Sequence, residues 1–142
     1  GALYNMAAKD VELARAIVRG IGRFSKDLIV VCLAGSAMVE VAEEAGLHVA
    51  REGFADRAYN PDGTLRSRRL PGAVIEDPQA AAERAIRMVR EGVVVAHTGE
   101  EIPLRVDTIC VHGDTPTAVE IAKAIRRELE AAGIKVVPMG NW

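Results

Sequence analysis

Between Asp107 and Pro116 the chain reads Asp-Thr-Ile-Cys-Val-His-Gly-Asp-Thr-Pro, an apolar run that ends in His-Gly-Asp and then meets a proline. Thr108 to Val111 is short, apolar and rich in β-branched residues, the pattern of a buried strand. Pro116 fits the first turn of a helix, and Ala118, Ile121, Ala122, Ile125 and Leu129 follow at helical spacing. A strand feeding a helix in this way points to an α/β fold. It sets His112 and Asp114 at the carboxyl end of the strand, where such folds carry their ligands. A second polar cluster, Arg51-Glu52-Gly53-Phe54-Ala55-Asp56-Arg57, also follows an apolar stretch. The two clusters are expected to share one pocket.

The rest of the chain repeats the alternation. Met6 to Arg23 is helix-like, with Leu13, Ala14, Ile17, Val18 and Ile21 on one face and Gly20 and Gly22 weakening its end. Leu28 to Leu33 reads as a buried strand, Ser36 as the cap of a helix to about Ala45, and Gly46 as its stop. A strand over Leu47 to Ala50 then delivers Glu52. Arg57 to Gly72 is a polar loop with a turn at Asn60-Pro61-Asp62-Gly63, long enough to suggest a functional covering segment. Asp77 and Pro78 start a helix to about Glu91. Val93 to Ala96 and Ile102 to Val106 form a hairpin, and a last strand is expected at Lys135 to Val137. Strands alternating with helices imply a mainly parallel sheet.

A length of 142 residues suits one domain with a real core. Eighteen basic against twenty acidic residues leave a net charge of −2. That balance argues against a nucleic-acid groove built on phosphate contacts. The one basic run, Arg66-Ser67-Arg68-Arg69, reads as a solvated loop or an anion site. Cys32 and Cys110 lie in apolar runs and are expected as free buried thiols of a reducing compartment. No apolar run approaches the length of a membrane span, so the chain reads as soluble and cytoplasmic. It opens on Gly1-Ala2-Leu3-Tyr4-Asn5 without an initiator methionine, as though cut from something longer.

Gly20-Ile21-Gly22 has the wrong spacing for a phosphate loop and precedes a strand instead of following one. His48, His97 and His112 are too scattered for a metal-ligand motif, and the first two read as structural. His112 is the functional candidate, because Gly113 beside it lets a ligand approach the backbone. The competing role of Asp114 is to cap the following helix. Glu52, Asp56 and Arg57 form either a surface ion pair or a grip on an amino-acid-like substrate whose carboxylate the guanidinium would hold.

Four segments in order, GALYN at 1–5, EGFADRAYNPDGTL at 52–65, PGAVI at 71–75 and DTICVHGDTPTAV at 107–119, resemble the LamB/YcsF family, the 5-oxoprolinase A subunits. The resemblance implies a partial (β/α) barrel of the glycoside hydrolase/deacetylase type. It also implies ATP-dependent opening of 5-oxo-L-proline to L-glutamate with partner subunits B and C. Asn5, Glu52, Asp56, Arg57, Tyr59, Arg68, His112 and Asp114 occupy the matching motif positions, without the resemblance settling their individual duties; the catalytic candidates are Glu52, His112 and Asp114, and the substrate-binding candidates Asn5, Asp56, Arg57, Tyr59, Arg68 and Gly113. ATP is implied as co-substrate although no nucleotide site is visible, and a divalent metal is left open. Family members carry an amino-terminal half that this chain lacks, so the chain alone is expected to be inactive and to associate with that half or with itself. Two alternatives stand beside this one: a non-catalytic half-barrel scaffold and a metal-dependent amide or sugar deacetylase.

Overall fold

The computed structural model describes residues 2–141. The elements run α1 (Ala2–Ala7), α2 (Val11–Phe24), β1 (Ile29–Leu33), α3 (Ala37–Glu44), β2 (His48–Phe54), α4 (Pro78–Arg90), β3 (Val93–Val95), β4 (Glu101–Pro103), β5 (Thr108–Cys110) and α5 (Ala118–Ala131). β1, β2 and β5 form a parallel sheet in that order, and β3 and β4 an antiparallel hairpin. This is the expected α/β class, with parallel strands alternating with helices in an arc of a (β/α) barrel.

Register explains where each strand stops. β1 pairs with β2 from Ile29–His48 to Leu33–Glu52, and β2 pairs with β5 from Glu52–Thr108 to Phe54–Cys110. These two ladders carry β2 on to Phe54, past the expected end at Ala50, so Glu52 lies within the strand rather than beyond it. Gly53 has a packing reason: a Cβ there would lie 2.7 Å from Val106 Cγ1 and 3.2 Å from Met88 Sδ. Gly46, at φ +73°, ends α3 as expected.

Several elements depart from the expectation. The helix read over Met6 to Arg23 is two helices, because Asp10 adopts an extended conformation and its carboxylate caps α2 at Leu13 N, 3.0 Å away. Gly20 and Gly22 lie inside α2, which runs on to Phe24 because Ala14 and Val18 anchor it on the core. Ser36 occupies the cap position of α3, but its hydroxyl makes no cap bond. Asp77 does cap α4, accepting from Ala80 N at 2.8 Å. α5 starts at Ala118 instead of Pro116, and Thr117 Oγ1 donates to Glu76 O at 2.7 Å. Lys135 to Val137 is not a strand; it joins no ladder, and Val136 and Val137 are 44% and 48% exposed.

Three apolar clusters hold the sheet. One joins α2 and α3 to β1 through Val18, Val30, Cys32, Met38 and Ala42. Another packs α4 on α5 through Ala81, Ala85, Ile121, Ile125 and Leu129. The third, of Leu33, Phe54, Tyr59, Met88, Val94 and Leu104, lies between the sheet and the hairpin and backs the cleft described next. Burying side chains of this size stabilises by roughly 1.5–3 kcal/mol each for the large ones.

Candidate active site

The segment after β2 passes directly into the interior. Asp56 has no exposed surface, and Arg57 and Tyr59 are also buried. A buried carboxylate must be matched by donors. His112 supplies them: its backbone N–H donates to Asp56 Oδ2 at 2.7 Å, and its Nδ1 lies 3.1 Å and 3.0 Å from Oδ1 and Oδ2. With both carboxylate oxygens facing Nδ1, the proton of the neutral ring belongs on Nδ1, leaving Nε2 as the acceptor. The ring is further fixed by Phe54, stacked on it at 5.4 Å between centroids and 23° between planes.

His112 opens on a cleft of about 870 Å³. Glu52, Phe54 and Cys110 line its floor from β2 and β5; Tyr4 and Asn5 line one side from α1; Arg57, Arg66 and Arg68 line the other from the loop after β2. The polar loop read over Arg57 to Gly72 thus walls the cleft. Its conformation is held from within: Arg57 Nε donates to Ala73 O at 3.3 Å and Nη2 to Arg66 O at 2.7 Å. Asn60 N donates to Thr64 O at 2.7 Å across the Asn60–Gly63 turn. Burial, and next the neighbouring Arg68, lowers the Arg57 pKa from its ordinary value.

The structure brings Asn5, Glu52, Arg57, Arg68 and His112 to this one cleft, with Asp56 directly behind His112. It places the other expected residues elsewhere. Tyr59 is wholly buried, its hydroxyl accepts from Phe54 N at 2.9 Å, and burial pushes its phenol up to about 12, so it braces the wall instead of touching the cleft. Asp114 is exposed and bound by Arg68 Nη1 at 2.5 Å, and that bond holds its carboxyl below the usual range. It therefore neither caps α5 nor lines the cleft floor. Gly113 is exposed, and a Cβ there would meet nothing in this chain. Arg51, grouped with the cluster by sequence, points away: it donates to Asp107 Oδ2 at 3.1 Å and pairs with Glu43.

Cys32 and Cys110 are both free; Cys32 is buried and Cys110 half-buried. Burial, then the Glu52 and Asp56 carboxylates, pushes the Cys110 thiol up to about 12, so it is neutral near pH 7. His97, near the hairpin turn, places Nε2 3.0 Å from Arg66 Nη1.

Two contributors escaped the sequence reading. Arg84 on α4 donates from Nε to Ala55 O at 3.1 Å and from Nη2 to Arg57 O at 2.8 Å, clamping the backbone on either side of Asp56. A charged residue between the buried Ala81, Ala82 and Ala85 was the available signal. Tyr4 is the other; its hydroxyl donates to Glu52 Oε1 at 2.8 Å.

The fold and cleft define an α/β protein with a polar site at the carboxyl ends of parallel strands. A LamB/YcsF family profile matches residues 1–142, and the chain belongs to that family. It is 62% identical over 142 residues to the 5-oxoprolinase A subunit of Pyrococcus furiosus, covering 100% of this chain and 56% of that protein. To the protein of the same name from Thermococcus onnurineus it is 61% identical, with the same coverage of 100% and 56%. The crystal structure of a lactam utilization protein from Thermus thermophilus superposes with a TM-score of 0.84 at 47% identity, covering 96% of this chain and 54% of that one. The chain thus spans about half the length of the relatives it matches. Among the described residues no helix is long and apolar enough to cross a membrane.

Proposed function

We propose that this chain supplies the water-activating part of a cytoplasmic 5-oxoprolinase A subunit, which opens 5-oxo-L-proline to L-glutamate with hydrolysis of ATP, together with subunits B and C. The observation that carries this reading is the buried Asp56–His112 pair opening onto the cleft that Glu52 lines. The names of the relatives, which mark them as one lettered part of a 5-oxoprolinase, support it.

A lactam is a stable amide, and ATP supplies its activation by phosphorylating the carbonyl oxygen. Gly20 and Gly22 lie within α2, and the cleft arginines Arg57, Arg66 and Arg68 are engaged by carbonyls, His97 or Asp114. Among the described residues no three His, Cys, Asp or Glu side chains converge to hold a metal ion, and no step is routed through one.

What this chain's residues do is handle water and the substrate. His112 Nε2 takes a proton from water as it adds to the activated carbon. The C–N bond of that tetrahedral centre then breaks, and the ring nitrogen leaves with the proton returned by His112; the acyl phosphate that remains is hydrolysed by a second water to glutamate and phosphate. Asp56 keeps the ring in the tautomer that can accept the proton and stabilises the imidazolium that forms. Glu52 is a second carboxylate on the cleft floor, placed to accept a hydrogen bond from the attacking water. Arg68, at the rim and bound to exposed Asp114, is placed to exchange that partner for the substrate carboxylate.

The test is ATP-dependent glutamate release by the intact protein with subunits B and C, and with each omitted in turn. Release only in the complete mixture supports the proposal. No release from 5-oxo-L-proline in the complete mixture, or release that ignores ATP, overturns it.

A further inference from the structure

Tyr4 occupies an unusual place: one side chain, on α1, touches the supports of both candidate proton-handling groups. Its hydroxyl donates to Glu52 Oε1 at 2.8 Å, across 48 residues of sequence. Its ring meets Phe54 edge-on, with centroids 6.0 Å apart and planes at 77°. Phe54 in turn stacks on the His112 imidazole at 5.4 Å and 23°. Tyr4, Glu52, Phe54 and His112 all line the cleft.

We propose that Tyr4 is a positioning residue of this site, fixing the Glu52 carboxylate through its hydroxyl and the His112 ring through the Phe54 face. The inference rests on the function proposed above for what the site does, but not for the geometry itself. A free glutamate side chain rotates about three bonds and presents its oxygens in many directions. The bond from Tyr4 fixes Oε1, and the Cys110 thiol also bonds this carboxylate, so the group is held in one orientation at the cleft. Edge-to-face packing restrains Phe54, so its stacking face is presented to His112 in one orientation. The phenol is kept as a neutral donor, since burial, and then the charge of Glu52, raises its pKa well above the ordinary range. α1 packs against β1 and α2 through buried Ala7, which gives the tyrosine a fixed base.

The two halves of this role separate by substitution. Tyr4→Phe keeps the ring and removes the hydroxyl; Tyr4→Leu removes both. In the intact enzyme with its partner subunits, Tyr4→Phe is expected to lower kcat roughly tenfold, the loss of about one charge-assisted hydrogen bond, with KM little changed. A readout independent of turnover is the carboxyl carbon resonance of Glu52 and the ring nitrogen resonances of His112 in the labelled protein. Tyr4→Phe should shift the Glu52 signal and leave His112 in place, and Tyr4→Leu should shift both. If Tyr4→Phe leaves the Glu52 resonance where it was, the positioning role is wrong, whatever the activity. If the unsubstituted complex turns over no 5-oxo-L-proline, the proposed function falls while the resonances still decide the role of Tyr4.

Discussion

Replacing Asp56 by asparagine tests the chemistry of the site while preserving its shape. The carboxylate is fully buried and meets His112 three times: the backbone amide at 2.7 Å, and Nδ1 at 3.0 and 3.1 Å. An amide oxygen can go on accepting from the His112 amide. Its NH₂ group must then face Nδ1, and two donors cannot share one contact. The imidazole relieves the conflict by moving its proton to Nε2, the atom proposed to take a proton from water. The site should therefore remain folded and lose its base. General-base catalysis is worth on the order of 10²–10⁴ in rate, or roughly 3–5 kcal/mol of barrier. Stability should fall less, by about 1–2 kcal/mol, because a charge-assisted contact becomes a neutral one. Asp56→Ala is the poorer probe, since it strands buried donors at a cost of about 3 kcal/mol or more. Long-range proton–nitrogen correlation spectra of the His112 ring distinguish the tautomers, urea unfolding gives the stability change, and glutamate release gives the rate. An Asp56→Asn variant whose His112 stays protonated at Nδ1 and whose rate is unchanged would show that Asp56 does not set the tautomer.

Three further outcomes follow from the same structure. Arg84→Met should destabilise by about 2–4 kcal/mol in denaturant titration, because the Ala55 and Arg57 carbonyls lose buried charged donors, and should slow turnover through Asp56; an unaltered midpoint would contradict the clamp. Cys110, with its thiol pushed up to about 12, should react slowly with iodoacetamide near neutrality and faster as pH rises toward that value. An unfolded thiol ionises at about pH 8.5, so this group's contribution to stability is full below that pH and is lost as pH rises through the folded value; fast labelling at pH 7 would contradict it. Among the described residues β1 and β5 are each paired on one side only, and apolar grooves of about 440 and 580 Å³ lie beside β1 and β5. The chain alone should therefore self-associate at low micromolar concentration in sedimentation, and a clean monomer that binds no hydrophobic dye would count against that.

What could be read from the sequence was what local pattern controls. His112 at a strand end and the Glu52–Arg57 cluster were legible, because periodicity fixes where a strand meets a helix. β2 was read too short because its last three residues are held by pairing with β5, some 56 residues away, and not by their own composition. Lys135 to Val137 shows the converse: β-branched residues make a strand only where another backbone completes the ladder. The break at Lys9–Asp10 was visible in principle, since Asp10 is a good cap, but the apolar spacing on either side concealed it. The roles of Tyr4, Tyr59 and Arg84 depend on side-chain contacts 5 to 48 residues apart, which no periodicity reveals. Tyr59 illustrates the limit: its motif position suggested substrate contact, whereas its hydroxyl is taken by Phe54 N.

If the proposed function holds, the lactam opens in the cleft faced by His112 and Glu52, and a crystal structure of the intact protein with 5-oxo-L-proline is the decisive measurement. The lactam ring should lie in this cleft, with its carbonyl carbon within reach of a water bound to His112 Nε2 and its carboxylate on Arg68 in place of Asp114. A substrate bound with its carbonyl away from His112, or in another cavity altogether, would contradict that function.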